Sequence, residues 1–285
     1  AHSGALHNPR GCGKPLEERI SMLAIIRGAG DIASAIALRL HKCGVTVIMT
    51  EVERPLTVRR TVAFSEAIHS GKTQVEGVVG VRAESVDDAL RRALEGVVPV
   101  LVDSKCSCIW LEPDVLVDAI LAKRNVGTTI GMAPIVIGIG PGFTAGDDCH
   151  AVVETMRGHT LGRVYYEGSA LPNTAVPGLV GGFAGERVLR APSDGTFREV
   201  ASIRDHVEAG QAVAYVDDAP VIATLTGTLR GLLAGGTHVT KGLKCGDIDP
   251  RDEVSHCETV SDKGLAVAGG VLEAILHLSD TLTKA

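Results

Sequence analysis

A glycine-rich turn near the start of the chain has the residue types of a phosphate-binding site. Gly28, Gly30 and Ala33 form a G-x-G-x-x-A pattern that follows a short apolar run and precedes an amphipathic segment. Such a turn presents backbone N–H groups and a helix N-terminus to an anion. Glu51 follows Gly30 by 21 residues, close to the spacing of a carboxylate that holds a ribose. The candidate cofactor-binding residues of this turn are Gly28, Ala29, Gly30, Asp31, Ile32 and Glu51.

Two features of this turn leave a second interpretation open. The carboxylate of Asp31 would repel an anion bound beside it. Small residues at a strand-turn-helix junction also allow close packing in the absence of any ligand. A nucleotide site and a purely structural turn both fit the pattern, and we predict the nucleotide site.

A second glycine cluster, residues 138–148, follows the apolar segment 133–139. Four glycines within nine residues permit unusual backbone angles or the close approach of a ligand. Because both glycine loops follow strands, they are predicted to face one cleft. A plain turn at a domain junction is the alternative. The candidate binding residues of this cluster are Gly140, Gly142, Thr144 and Gly146.

No set of residues in the chain predicts a reaction. Lys105, Cys106 and Asp147 are the candidate catalytic groups, since a thiolate next to a lysine has a lowered pKa and binds soft atoms. Cysteines of this kind are more often small buried apolar side chains. Cys106 and Cys108 have no second pair at zinc spacing, so no metal site is predicted. Neither a Ser-His-Asp hydrolase signature nor a P-loop occurs.

The first half of the chain alternates apolar strands with helical segments. Strands at 23–27, 45–50 and 97–103 and helices at 32–42 and 113–123 predict an α/β fold. Strands that are apolar on both faces indicate a parallel sheet covered by helices. We therefore predict a Rossmann-like parallel sheet domain over residues 22–168, which binds a nucleotide or phosphate.

The second half contains an internal repeat with an offset of 32 residues, in which 195–198 matches 227–230 and 206–207 matches 238–239. This pattern resembles the biotinyl/lipoyl-type fold and predicts a small all-β barrel-sandwich domain over 188–258. The turn between the repeats, 217–220, has no lysine, so a carrier role is not expected. Residues 169–187 are predicted as a connection, and 259–285 as a C-terminal helix that packs on the first domain.

Composition limits the classes of function. A net charge of −6 and a pI near 5.9 exclude a basic field for nucleic acid. No apolar run reaches the roughly 18 residues that span a bilayer, so no membrane association is predicted. Seven cysteines at irregular spacing indicate reduced thiols and a cytoplasmic protein. Residues 1–21 are interpreted as a flexible extension or a remnant of cloning.

Six segments of the chain form an ordered set of motifs: 27–33 (RGAGDIA), 59–67 (RRTVAFSEA), 140–146 (GPGFTAG), 153–163 (VETMRGHTLGR), 168–174 (GSALPNT) and 246–251 (GDIDPR). In this order they resemble the YqeB family of selenium-dependent molybdenum hydroxylase system proteins, and the resemblance covers roughly residues 22–278. It implies a role in the maturation of molybdenum hydroxylases that carry a labile selenium. The family is distantly similar to xanthine dehydrogenase accessory factors, which have a Rossmann-like domain. The resemblance implies no catalytic residue.

Three functions are compatible with these observations. The first is a maturation factor that binds the nucleotide or pterin phosphate of the molybdenum cofactor, with a molybdenum hydroxylase or another maturation factor as its partner. The second is an NAD(P)-dependent oxidoreductase, which the glycine turn and Glu51 suggest. The third is a non-enzymatic scaffold whose β domain docks the client enzyme. A homo-oligomer is a further expectation.

Overall fold

The computed structural model describes residues 22–174 and 178–279, and its centre is a sheet of nine strands. The predicted extension at residues 1–21 lies outside the described residues. Along the sheet the strands lie in the order β3-β4-β5-β2-β1-β6-β7-β8-β9. The strands are β1 (Leu23–Arg27), β2 (Thr46–Glu51), β3 (Lys72–Val75), β4 (Val78–Ala83), β5 (Val98–Val102), β6 (Val115–Asp118), β7 (Ile135–Ile139), β8 (Ala151–Val153) and β9 (Val164–Tyr165).

The prediction of a Rossmann-like parallel sheet is wrong, because this sheet is mixed. The seven inner strands, β4-β5-β2-β1-β6-β7-β8 in their order along the sheet, run parallel to one another. The edge strands β3 and β9 each pair antiparallel with their neighbour. The segment 113–123, predicted as a helix, contains strand β6. Short 3-10 turns at Ser107–Leu111 and Ile130–Met132, not α-helices, lie in the connections on either side of it. The four residues of β6 are all buried, and a short buried strand has the same apolar run as a helix.

Within the described residues, four α-helices accompany the sheet: α1 (Asp31–Lys42), α2 (Glu66–Ser70), α3 (Val86–Leu94) and α4 (Asp262–Leu278). Helix α4 follows the antiparallel strands in sequence, and it packs against α1 in the apolar core of the large sheet. A Cβ added at Gly264 would lie 2.8 Å from the Cβ of Ala35, so glycine allows this close approach. None of the described helices has the length and apolarity needed to cross a membrane.

Residues 188–249 form two antiparallel sheets of four strands, in the orders β10-β17-β15-β12 and β14-β13-β11-β16. The prediction of a biotinyl/lipoyl-like barrel is wrong, since the strands form these two sheets beside a large mixed sheet. The strands are β10 (Val188–Arg190), β11 (Gly195–Glu199), β12 (His206–Val207), β13 (Ala212–Val216), β14 (Ala219–Ile222), β15 (Gly227–Leu232), β16 (His238–Val239) and β17 (Lys244–Asp249).

The 32-residue repeat is visible in how these strands pair. Gly195 pairs with Val239 in one sheet, and Gly227 pairs with Val207 in the other. Each repeat therefore contributes strands to both sheets, and equivalent residues have equivalent partners. The division of the chain into 22–168, 169–187, 188–258 and 259–285 stays a prediction.

Candidate functional site

A cleft of about 740 Å³ opens at the carboxyl ends of the parallel strands. Asp31 follows β1, Lys123 follows β6, Pro141 follows β7 and Glu154 follows β8, and all four line this cleft. The opposite wall includes Arg230 of β15, with Lys244 and Asp247 of β17. The large sheet and the antiparallel sheets thus build the cleft together.

All six sequence segments that resemble the YqeB family contribute residues to this cleft. They lie far apart in the chain, and the fold brings them to one place. Two smaller cavities, of about 380 and 290 Å³, contain residues of only one and two of these segments. One lining residue from each segment, in chain order, is Asp31, Arg59, Pro141, Glu154, Leu171 and Asp247.

Cationic side chains outnumber acidic ones in the lining of the cleft. The acidic residues are Asp31, Glu154 and Asp247. A surplus of positive charge in a concave site attracts anions. The cationic residues are Arg59, Lys123, Arg157, Arg187, Arg230, Lys244 and Lys263.

Ion pairs balance the arginines of the antiparallel sheets. Arg230 donates to Asp247 at 2.5 Å and to Asp249 at 3.1 Å, and Arg187 also donates to Asp247. Asp247 and Asp249 are almost completely buried. Hydrogen bonds from Arg251 and the charge of Arg230 hold the pKa of Asp249 well below its usual value, against the effect of burial. The charges of this wall are therefore paired within the protein, although the buried Nε atom of Arg187 has no hydrogen-bond partner among the described residues.

Arginines near the large sheet are also paired. Both terminal nitrogens of Arg157 donate to the carboxylate of Asp262, at 2.5 and 2.9 Å, and this hydrogen bonding lowers the pKa of Asp262 to about 2. Arg59 donates to the carbonyl oxygen of His256 at 2.8 Å and lies 3.8 Å from Asp31. The cations of the cleft that have no such partner are therefore lysines.

Lys123 and Lys263 are the two lysines without a partner. In the described part of the chain, no hydrogen bond or ion pair engages the Nζ atom of either. Burial, and then the charge of Lys123, lowers the pKa of Lys263. Partial burial lowers the pKa of Lys123. The cleft therefore holds two ammonium groups that make no ion pair within the described part of the chain, although the carboxylates of Asp31 and Glu154 act on Lys263 from a distance.

The predicted glycine turn lines a smaller cavity of about 290 Å³ beside the cleft. Gly28 has a positive φ of 93°, and a Cβ there would lie 2.9 Å from the carbonyl oxygen of Ala119. Its N–H donates to Thr50 at 2.8 Å, while the N–H of Ala29 donates to Glu51 at 2.9 Å. The turn is thus held by strand β2 and packed against the loop after β6.

The structure brings most of the residues predicted at this turn together. Gly28, Gly30 and Glu51 line the smaller cavity, and Asp31 and Ile32 line both cavities. Ala29 is buried and lines neither of them. Burial raises the pKa of Glu51, although its hydrogen bonds from Val52 and Ala29 oppose that shift.

The glycines of the second cluster make room for protein atoms. A Cβ at Gly138 would lie 2.4 Å from the ring of Phe143. One at Gly140 would lie 2.6 Å from the hydroxyl of Thr155, and one at Gly142 would meet the backbone of Arg124 at 2.6 Å. Pro141 lines the cleft. Four predicted binding residues do not line it: Gly140, Gly142, Thr144 and Gly146.

The candidate catalytic residues do not meet in either cavity. Lys105 and Asp147 are exposed, whereas Cys106 is buried and has a left-handed φ of 55°. A hydrogen bond with the thiol of Cys108 lowers the pKa of Cys106 and raises that of Cys108. Among the described residues, no group of three or more His, Cys, Asp or Glu side chains could hold a metal ion.

Sequence reasoning missed Lys123 and Lys263. Lys123 lies at the end of a segment that was predicted as a helix, and it adopts a positive φ of 64° in a loop. Lys263 follows the N-cap Ser261, whose hydroxyl accepts from the N–H of Gly264 at 3.2 Å. The cap is a local signal for the start of α4. No local signal shows that this lysine faces Lys123.

The fold and the site define a protein with a mixed central sheet, two antiparallel sheets and a cationic cleft. No family model matches the chain. Over 273 residues it is 49% identical to "Uncharacterized protein YqeB" of Escherichia coli strain K12, a match that covers 95% of this chain and 50% of that protein. The chain therefore belongs to the YqeB family, and it spans about half the length of this relative.

Two solved structures are weakly similar to the chain. An aspartoacylase family protein of Mesorhizobium loti has a TM-score of 0.24 at 13% identity, over 79% of this chain and 84% of its own. A succinylglutamate desuccinylase/aspartoacylase of Rhodobacter sphaeroides has a TM-score of 0.25 at 14% identity, over 80% and 86%. Likenesses at this level assign neither an activity nor a ligand.

Proposed function

We propose that the chain binds a phosphate-bearing nucleotide or pterin in the cleft and acts as an accessory factor in the maturation of selenium-dependent molybdenum hydroxylases. The observation that carries this proposal is the convergence of all six family-like segments on one cleft with a cationic surplus. A small anionic ligand fits such a site because the paired arginines fix the walls and the free lysines supply the charge.

The pathway part of the proposal is supported by the resemblance of those segments to the hydroxylase system proteins. A phosphate-bearing pterin is the part of a molybdenum cofactor that a cationic cleft would hold. The partner in this proposal is a molybdenum hydroxylase or a second maturation factor. Loss of hydroxylase activity after deletion of the gene would support the pathway, and unchanged activity would contradict it.

Native mass spectrometry of the protein purified from its own host tests the ligand part. We expect an added mass that contains phosphorus in the wild type. Arg157→Met removes a cation of the cleft and is expected to lose the added mass. Arg204→Met is the matched control, since Arg204 also pairs with an exposed carboxylate, Glu258 at 2.9 Å, but lies outside the cleft. A wild-type protein without any adduct would contradict the proposal.

A further inference from the structure

We infer that the anionic group of the ligand binds between Lys123 and Lys263, in the larger cleft, and not at the glycine turn. This assignment rests on the proposed function, because it places one part of the same ligand. It differs from the interpretation of the sequence, in which the glycine turn holds the phosphate. Three properties of the described residues support it.

The glycine turn is poorly suited to an anion. The N–H of Gly28 donates to the carbonyl oxygen of Thr50, and the N–H of Ala29 donates to the carboxylate of Glu51. Two backbone donors of the turn are therefore already used within the protein. Asp31 and Glu51 also line the smaller cavity, and their carboxylates offset the charges of the two cations there, Arg59 and Lys244. The smaller cavity therefore lacks the surplus of positive charge that the larger cleft has.

The lysine pair has the opposite character. Lys263 lies in the first turn of α4, a helix of 17 residues, where the aligned peptide dipoles add positive potential. Lys123 and Arg157 oppose its charge, whereas the carboxylates of Asp31 and Glu154 favour it. Arg157 is already paired with Asp262. An anion between the two lysines would relieve the repulsion between them.

Binding of an anion there would also take up protons. The pKa of Lys123 and that of Lys263 lie below their usual value, and a bound negative charge favours the ammonium forms of both. The affinity is therefore expected to fall as the pH rises through the range in which these lysines lose their protons. An anion held by backbone N–H groups would show no such coupling.

The two cavities adjoin each other, and their different linings suggest an orientation for the ligand. Asp31, Arg59 and Leu121 line both of them. The smaller cavity has hydrogen-bond acceptors in Asp31 and Glu51, which suit the hydroxyl groups of a ribose or the N–H groups of an aminopyrimidine ring. A ligand with its N–H or O–H end at the glycine turn and its phosphate at the lysines would satisfy both regions.

Isothermal titration calorimetry of the full chain with two probes tests this assignment. The probes are pyrophosphate, which carries the charge alone, and GDP, whose guanine shares the 2-amino-4-oxopyrimidine ring of a pterin. We expect Lys123→Met and Lys263→Met each to lower the affinity for both probes about tenfold or more, since each variant removes a charge-assisted contact. Lys241→Met, at an exposed lysine outside both cavities, is the control and should bind as the wild type does.

A variant of the smaller cavity separates the two subsites. Gly30 has an extended backbone, and a Cβ there meets only the hydroxyl of Thr57, at 3.7 Å. Gly30→Val is therefore expected to fold, to bind GDP more weakly than the wild type does and to bind pyrophosphate with unchanged affinity. Titrations in phosphate-free buffers of different ionisation enthalpy should show proton uptake in the wild type and less in Lys263→Met.

The possible failures are distinguishable. If both lysine variants bind pyrophosphate as tightly as the wild type while Gly30→Val loses it, the anion lies at the glycine turn and this inference is wrong, although the proposed function stands. If neither probe binds to the wild type, the proposed function fails and the inference fails with it. Melting temperatures of Lys123→Met and Lys263→Met should equal or exceed that of the wild type, because each removes a repelling charge.

Discussion

Arg27 and Asp118 form a buried ion pair at 3.1 Å across the carboxyl ends of the neighbouring strands β1 and β6. Thr128 joins them, since its hydroxyl contacts Arg27 and donates to Asp118 at 2.6 Å. Both charged side chains are less than a twentieth exposed. The pair links the carboxyl ends of β1 and β6. The loops that follow these two strands line both cavities.

Removing one member of this pair should destabilise the protein strongly. Asp118→Ala leaves the guanidinium of Arg27 buried without a counter-ion, and we expect the free energy of unfolding to fall by about 3–5 kcal/mol. Urea denaturation measures the loss. The double variant Arg27→Met with Asp118→Leu should recover most of it, because no charge is then left unpaired. A single variant as stable as the wild type would show that the pair has no structural role.

Glu154 is a second buried carboxylate that organises the cleft. Its Oε1 accepts from the N–H groups of Thr155 and Met156, both at 2.7 Å, and its Oε2 accepts from Leu171 at 2.8 Å. We expect Glu154→Ala to lower the free energy of unfolding by at least about 3 kcal/mol, since hydrogen bonds to a charged group contribute about 1.5–3 kcal/mol each. Glu154→Ala should also weaken the binding of pyrophosphate, because Thr155, Met156 and Leu171, whose N–H groups Glu154 holds, all line the cleft.

The conservative variant separates the charge of Glu154 from its hydrogen bonds. Glu154→Gln keeps one carbonyl oxygen for the N–H groups of Thr155 and Met156 but presents an amide to Leu171. Its loss in urea denaturation should therefore be about half that of Glu154→Ala. Equal losses in the two variants would mean that the negative charge, and not the number of acceptors, holds the loops.

Local elements of the fold could be predicted from the sequence. The first strand has the predicted bounds, Leu23–Arg27, and the helix after the turn begins one residue before its predicted start. The start of α3 also has a local cause, since the hydroxyl of Ser85 accepts from the N–H of Asp88 at 3.1 Å. These signals lie within a few residues of one another, so neighbouring side chains determine them.

Features that depend on distant parts of the chain could not be predicted. The buried run before Asp118 has the composition of a helix as much as of a strand, and pairing with β1 and β7 decides between them. The antiparallel edges of the sheet depend on pairing in the same way. Lys123 and Lys263 lie 140 positions apart, and only the packing of α4 against α1 brings them to one cleft.

Acid should weaken the contact between Arg157 and Asp262. The pKa of Asp262 is about 2 in the folded protein and about 3.9 in an unfolded chain. A lowered folded pKa stabilises the protein above the unfolded value, so this contribution is complete above about pH 5 and is lost as the pH falls towards 2. Because 71% of the Asp262 side chain is exposed, we expect less than about 1 kcal/mol.

Comparison with Asp262→Asn measures this contribution. The difference in the free energy of unfolding between the wild type and the variant should be largest at neutral pH and should shrink as the pH falls towards 2, where about half of the Asp262 side chains are protonated in the folded protein. High salt should reduce the difference at neutral pH, since the pair is screened by solvent ions. A difference that is constant over this pH range would contradict an ionic origin.

The contact between α1 and α4 requires glycine at one position of α4 and tolerates a side chain at another. A Cβ at Gly264 would lie 2.8 Å from the Cβ of Ala35, whereas a Cβ at Gly269 would meet no atom within 4 Å. Gly264→Ala should force the helices apart and lower the free energy of unfolding by about 1–3 kcal/mol. Gly269→Ala should raise it by about 0.5–1 kcal/mol, because alanine favours the helix.

Both glycine variants make the same chemical change in the same helix, so only the packing differs between them. Adding Ala35→Gly to Gly264→Ala should restore part of the loss, since it removes the Cβ that the new methyl group meets. Thermal and urea unfolding of the wild type, the two single variants and the double variant measure these changes in stability. If both single variants change stability by the same amount and sign, close packing of α1 against α4 at Gly264 does not hold the helices together. Lys263 directly precedes Gly264 in α4. Displacement of this helix in Gly264→Ala should therefore also weaken the binding of pyrophosphate.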